Sequence, residues 1–255
     1  MKTQNGKLWS TLNDGKFELR SMTLSDLEES LKVLDNAFFI NESVCKGCEI
    51  NLPHNSQARE DLKELSRITA QDGVSLFVRH LESGRIVAVA FNKLQASDFA
   101  PPPGEDTFFV KFRNEQVKSP SALRLMDYMI AEDAKIDVLA DYNMDCVCEL
   151  MFLATLPEFG RLGLGTTLTK YTIELSRDIL QGGHALENVA EELRDKRPAA
   201  VNALWTSEFT HNIGKAVGFK VLNKTPYTEF EFNGKRFDER IGPQHKFSEL
   251  AMYKL

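Results

Sequence analysis

The chain has 255 residues, 42% of them hydrophobic and 27% charged, enough to bury the core of one large domain. Its formal net charge of −6 argues against a nucleic-acid partner, which would call for clustered Lys and Arg. No apolar run of about eighteen residues is present, so no membrane partner is expected. The N-terminal MKTQNGKLWSTLNDGK also lacks the apolar stretch of a signal peptide, so a cytoplasmic monomer is the expectation.

Residues 1–15 read as a polar lead-in, with a domain over 16–255. In chain order, Lys16–Arg20 alternates polar and apolar residues, as a first strand does. A helix should follow. Thr23 with Asp26, or Ser25 with Glu28, matches a capping box, and Leu27, Leu31, Leu34 and Phe38 recur on one helical face. That helix should end near Phe39, before the polar Asn41-Glu42-Ser43. Leu62 and Leu65 mark a second helix within 58–70. Two apolar runs, 74–80 and 86–91, flank Glu82-Ser83-Gly84-Arg85, the pattern of a β-hairpin. Pro101-Pro102-Pro103-Gly104 marks a surface loop, and a helix is expected across 121–139.

The run 147–154 is almost wholly apolar, as expected of a central strand covered on both faces. Pro157 and a glycine-rich turn come next. Leu164, Leu168, Tyr171, Leu175 and Ile179 then trace a helical stripe. Residues 201–205 suit another strand, Phe209, Ile213 and Val217 a short helix ended by Gly218, and 219–222 the start of a last strand pair. No repeat or linker divides the chain. One α/β domain with a mixed central β-sheet flanked by helices is expected.

The four cysteines do not read as a metal site. Cys45 and Cys48 have zinc-like spacing, but Cys146 and Cys148 alternate within an apolar strand, where a structural zinc site would want a tight turn. Reduced, unligated cysteines and no metal are expected.

Gly160-Arg161-Leu162-Gly163-Leu164-Gly165-Thr166 lies between a buried strand and a helix. Glycines let the backbone approach a ligand, and the free N–H groups and positive dipole end of the helix suit phosphate oxygens. The physical expectation is a pyrophosphate cradle. A P-loop would need Lys-Ser/Thr after the last glycine, where Thr166-Thr167 stands. A dinucleotide fingerprint needs G-x-G-x-x-G, whereas the order here is G-x-x-G-x-G. A ligand-free glycine turn is the remaining alternative.

The segment from Phe152 through Pro157, Gly160, Gly163 and Gly165 to Leu168 resembles the acetyl-coenzyme A motif of the GCN5-related N-acetyltransferases, a strand, a Pro-containing link, an R/Q-x-x-G-x-G/A loop and a helix. Gly160 stands at the first motif position, usually Arg or Gln, and Arg161 follows one place later. Within that superfamily, Phe38-Phe39-Ile40-Asn41-Glu42-Ser43, Thr206-Ser207-Glu208-Phe209-Thr210, Tyr227-Thr-Glu-Phe and Pro243-Gln-His245 are similar to the insect-type arylalkylamine N-acetyltransferases. Ser43 replaces a usual proline.

The resemblance implies a fold with splayed central parallel strands. It further implies acetyl-CoA as donor, bound along Phe152, Leu153 and Ala154 and by Gly160, Arg161, Leu162, Gly163, Leu164, Gly165 and Thr166. The acceptor it implies is the primary amine of a small arylalkylamine-like molecule. Such an amine is mostly ammonium at pH 7 and must lose a proton before attacking a thioester. The resemblance gives that task to Glu42, whose alternative is a helix cap. Thr206, Ser207 and Thr210 replace the tyrosine that many superfamily members use to protonate the leaving thiolate. Thr206 or Ser207 is equally an ordinary N-cap, so Thr210 is the expected donor. A main-chain N–H near Leu153 or Ala154 would hold the oxyanion. Phe38, Phe39 and His245 are the expected amine contacts. A non-catalytic acyl-CoA-binding module, or an enzyme acting on a protein amine, remains as the alternative.

Overall fold

Alternating burial along β2 (Phe17–Ser21) gives it one core face, and β1 (Leu8–Leu12) pairs with it as an antiparallel ribbon in which Leu12 faces Phe17. This computed structural model describes residues 6–102 and 104–255. Residues 1–5 of the expected lead-in, and Pro103 of the proline loop, lie outside the described residues. The rest of that lead-in is corrected by β1. Its strand pairs with β2, and Trp9 Nε1 donates to Ser21 Oγ at 2.9 Å, so a polar sequence joins the sheet edge.

The Thr23–Asp26 cap forms as the spacing predicts, Asp26 accepting from the Thr23 N–H at 3.1 Å and opening a short 3₁₀ turn. Then α1 (Leu27–Val33) widens into a π-helical segment, Leu34–Phe38, before α2 (Phe39–Asn41). Glu42 leaves the helix with φ −64° and ψ 143° and caps α3 (Ser43–Gly47). The long helix α4 (Ser56–Gln71) buries Leu62 and Leu65. The expected hairpin is β3 (Leu76–His80) with β4 (Ile86–Ala96), joined through Gly84 at φ +69°.

Helices α5 (Phe108–Glu115), α6 (Pro120–Asp133) and α7 (Val138–Asp141) follow. The single helix expected over 121–139 is therefore two. Asp137 accepts from the Leu139 and Ala140 N–H groups and so starts a new helix instead of continuing the old one. Next come β5 (Cys146–Thr155), α8 (Leu164–Leu180), β6 (Ala200–Trp205), α9 (Glu208–Val217) and β7 (Lys220–Pro226). A small excursion, β8 (Glu231–Phe232), β9 (Lys235–Arg236) and α10 (Phe237–Ile241), precedes the last strand, β10 (Phe247–Lys254).

The main sheet has eight strands in the order β1-β2-β3-β4-β5-β6-β10-β7. Its neighbours are antiparallel except for β5 and β6. Helices α1, α4 and α8 pack on β4, where Val87, Ala88, Val89, Ala90 and Phe91 are fully buried. Burial of each large apolar side chain there contributes about 1.5–3 kcal/mol. The whole is one α/β domain. The expected two-sided burial of β5 holds only for its start. From Glu149 onward buried and half-buried residues alternate, and the half-buried set, Glu149, Met151, Leu153 and Thr155, faces open cavities.

Candidate active site

The site begins where two strands part. Strands β5 and β6 pair from Cys148↔Val201 to Leu150↔Ala203, and then both run on without pairing to Thr155 and Trp205. A β-bulge at Met151, between Phe91↔Phe152 and Asn92↔Leu150, bends β5 at the same point. The Leu156 N–H donates to Val87 O at 2.9 Å, so strand alternation turns the Ala154 peptide toward β4 and the Leu153 and Thr155 peptides toward the open edge. That edge borders a cleft of about 700 Å³.

The glycine loop closes one end of the cleft, where Gly160 and Arg161 line it. Gly163 caps α8 with φ +76°, a region that suits glycine, and Arg161 shares the left-handed region at φ +62°. Among the described residues the N–H groups from Arg161 through Thr166 have no acceptor, and they lie at and just before the start of a 17-residue helix. Unpaired N–H groups at a helix start are the chemistry that an anion would use. Gly165 serves packing instead: a Cβ there would stand 3.3 Å from Ile213 Cδ1 of α9. Leu164 is buried, whereas Leu162 is exposed.

Glu42 lines the opposite wall. Its carboxylate caps α3, Oε1 accepting from the Val44 N–H at 2.9 Å and Oε2 from the Cys45 N–H at 2.6 Å. A carboxylate has about four lone-pair sites, so capacity remains for a further donor from the cleft. Capping and contact with the cleft coexist in this residue.

The three hydroxyls of the 206–210 segment have separate fates. Ser207 Oγ accepts from the Thr210 N–H at 3.2 Å, and Thr210 Oγ1 accepts from the Ser207 N–H at 3.1 Å, a reciprocal cap on α9. Thr210 Oγ1 also donates to Ser207 O at 3.0 Å, so its proton is already engaged. Thr206 Oγ1 has no hydrogen-bond partner among the described residues and lines the cleft. Its carbonyl is held by the buried Tyr227, whose hydroxyl donates at 2.6 Å.

Of the aromatic candidates, Phe38 lines the cleft and meets Phe152 edge-on at 5.4 Å. Phe39 does not reach it, being fully buried in the core. His245 lines the cleft and accepts the Glu208 N–H at 3.1 Å through Nδ1. Burial, then Lys46, holds its pKa below the ordinary histidine value. A neutral ring with Nδ1 occupied carries its proton on Nε2, a donor rather than a base. Trp205 is 3% exposed and packs on Phe219, largely as core.

Sequence reasoning missed a second cavity. A narrow slot of about 50 Å³ lies between α6 and the strands, lined by Glu42 and Thr206 and also by Tyr128, Asp133 and Glu149. A carboxylate inside the apolar run 147–154 was the available signal.

Comparison with solved structures follows this geometry. The chain matches arylalkylamine N-acetyltransferase 2 of Aedes aegypti with a TM-score of 0.70 and 18% identity over 93% of this chain and 98% of that one. A mosquito arylalkylamine N-acetyltransferase-like 5b matches with a TM-score of 0.72 and 15% identity over 94% and 100%. The Drosophila melanogaster polyamine N-acetyltransferase, an enzyme that forms N-acetylagmatine, matches with a TM-score of 0.68 and 15% identity over 94% and 100%. No family model and no curated protein matches the sequence. With its splayed β5–β6 pair and glycine loop, the chain has the fold of the GCN5-related N-acetyltransferases and resembles the insect arylalkylamine branch along nearly its whole length.

Proposed function

We propose that the protein transfers an acetyl group from acetyl-CoA to the primary amine of a small molecule, directly and without a covalent enzyme intermediate. The observation that carries this reading is the meeting, in one cleft, of unpaired N–H groups at a helix start, an open strand edge, a carboxylate and a free hydroxyl. The residues fit the donor. The N–H groups from Arg161 through Thr166 would hold its pyrophosphate, with the Arg161 guanidinium alongside. The open edge of β5 would take the pantetheine arm as an added strand. Acetyl-CoA supplies an activated thioester; the remaining chemistry belongs to the chain.

Glu42 would take the ammonium proton, directly or through one water, as general base. The Leu153 N–H, turned to the open edge, would hold the developing oxyanion. Thr206 would donate to the leaving thiolate, because Thr210 is bound into its cap. The Glu42 cap and the Ser207–Thr210 box would fix the two ends of this array.

Thermal unfolding with acetyl-CoA tests the donor half. At about 100 times its Kd, a ligand specific for the native state adds about 2.7 kcal/mol. For a chain of this size that raises Tm by roughly 5–10 °C. No shift at millimolar acetyl-CoA would contradict the reading.

A further inference from the structure

The slot beside the cleft holds an excess of acceptors. Glu149 and Asp133 line it together, and Tyr128, 1% exposed, lines it with a hydroxyl that has no hydrogen-bond partner among the described residues. Asn202, opposite Glu149 in the β5–β6 register, has a buried Oδ1 that also lacks a partner. Gln95 donates to Glu149 at 2.9 Å. The cation opposite Glu149 on β4, Lys93, is held by Asp72 at 3.2 Å. Burial pushes the Glu149 carboxyl above its ordinary value against the pull of Gln95 and Lys93. Asp133 is pushed up by burial and then by Glu149. Asp133 stands at the exposed mouth, where mutual repulsion is the more durable cause. Two carboxylates and an unpartnered phenol hydroxyl facing one cavity ask for a donor-rich cation.

Length and width narrow its chemistry. Thr206 stands four positions beyond Asn202, which faces Glu149. At about 3.3 Å per residue that is about 13 Å; a hydrogen bond of about 2.9 Å to the far cation and a near-attack contact of about 3 Å between the near amine and a thioester held at Thr206 leave roughly 7 Å. The slot of about 50 Å³ is well below the roughly 150 Å³ that admits a benzene ring. Its walls between the two ends, Leu125, Met129, Leu150 and Leu204, suit methylene groups.

We propose that this slot is a subsite for the far cationic group of a short α,ω-dicationic alkylamine, a diamine or guanidinoalkylamine, whose near amine is the one acetylated. The proposal rests on the acetyl-transfer reading. It replaces an arylalkylamine with a dication as the preferred acceptor.

The test compares kcat/KM for putrescine and agmatine with n-butylamine and tyramine, in the wild type and in Glu149→Gln and the Asp133→Asn/Glu149→Gln double variant. Acetyl-CoA binding serves as the control for folding. The wild type should favour the dications by at least about tenfold. In the variants the dication-to-butylamine ratio should fall roughly 10- to 100-fold, the range for losing a hydrogen bond to a charged group. Should the double variant fail to fold, the single one and the wild-type series carry the test. Equal use of tyramine and putrescine by the wild type, or a ratio unchanged in the variants, would overturn the subsite and leave acetyl transfer standing. Absence of acetylation on every amine would instead overturn the acetyl-transfer reading itself.

Discussion

Thr206, just after β6, and Thr210, in the first turn of α9, have different tasks. Thr210 is half of a reciprocal cap, and Thr206 offers an uncommitted hydroxyl to the cleft. Thr210→Ala should therefore cost about 1 kcal/mol of stability, the usual value of an N-terminal cap. Thr206→Ala should lower kcat with little change in Tm. Denaturant unfolding and steady-state kinetics on the two variants separate the roles, and a larger kcat loss at Thr210 would reverse them. From the sequence alone, Thr210 is the expected donor because Thr206 or Ser207 reads as the cap, and the reciprocal Ser207–Thr210 cap reverses that order. Which proton is free depends on the cap geometry, which spacing does not encode. Glu42 shows the same limit, since a glutamate in a polar stretch gives no sign that it both caps α3 and lines a cleft.

At the scale of elements, the glycine loop was the most legible feature. Its glycines, the strand before it and the apolar stripe after it each have a local physical cause, so their order is visible in the residues. The glycines nevertheless do different jobs. Gly163 supplies a positive φ at the start of α8, whereas Gly165 makes room for Ile213. Gly163→Ala should cost about 1–2 kcal/mol from left-handed strain and should also weaken acetyl-CoA binding by disturbing the cradle. Chemical denaturation and calorimetric titration would check both effects, and unchanged affinity would argue against a cradle at that turn. The π-helical segment Leu34–Phe38 was not legible, because an i+4 stripe continues through it. Helix α5 also escaped, because in only 8 residues the helical spacing of Phe108, Phe109 and Phe112 is too short a run to stand out.

At the scale of the molecule, the splayed strands and the slot arise from long-range pairing. The parting of β5 from β6 after Leu150 needs the bulge at Met151 and the different continuations of the two strands. The slot needs α6 to arrive from a distant part of the chain. Periodicity predicted the strands but not where they stop pairing. The tail between β7 and β10 acts in the same long-range way, bringing Tyr227 under Thr206 and His245 to the start of α9. The central claim is that this assembly moves an acetyl group to an amine with Glu42 as base, and thiol release from acetyl-CoA over a panel of small amines tests it most directly. The account predicts amine-dependent release that falls by roughly 10²- to 10⁴-fold in Glu42→Gln while acetyl-CoA binding is retained. Binding of acetyl-CoA without release on any amine, or full turnover by Glu42→Gln, would contradict it.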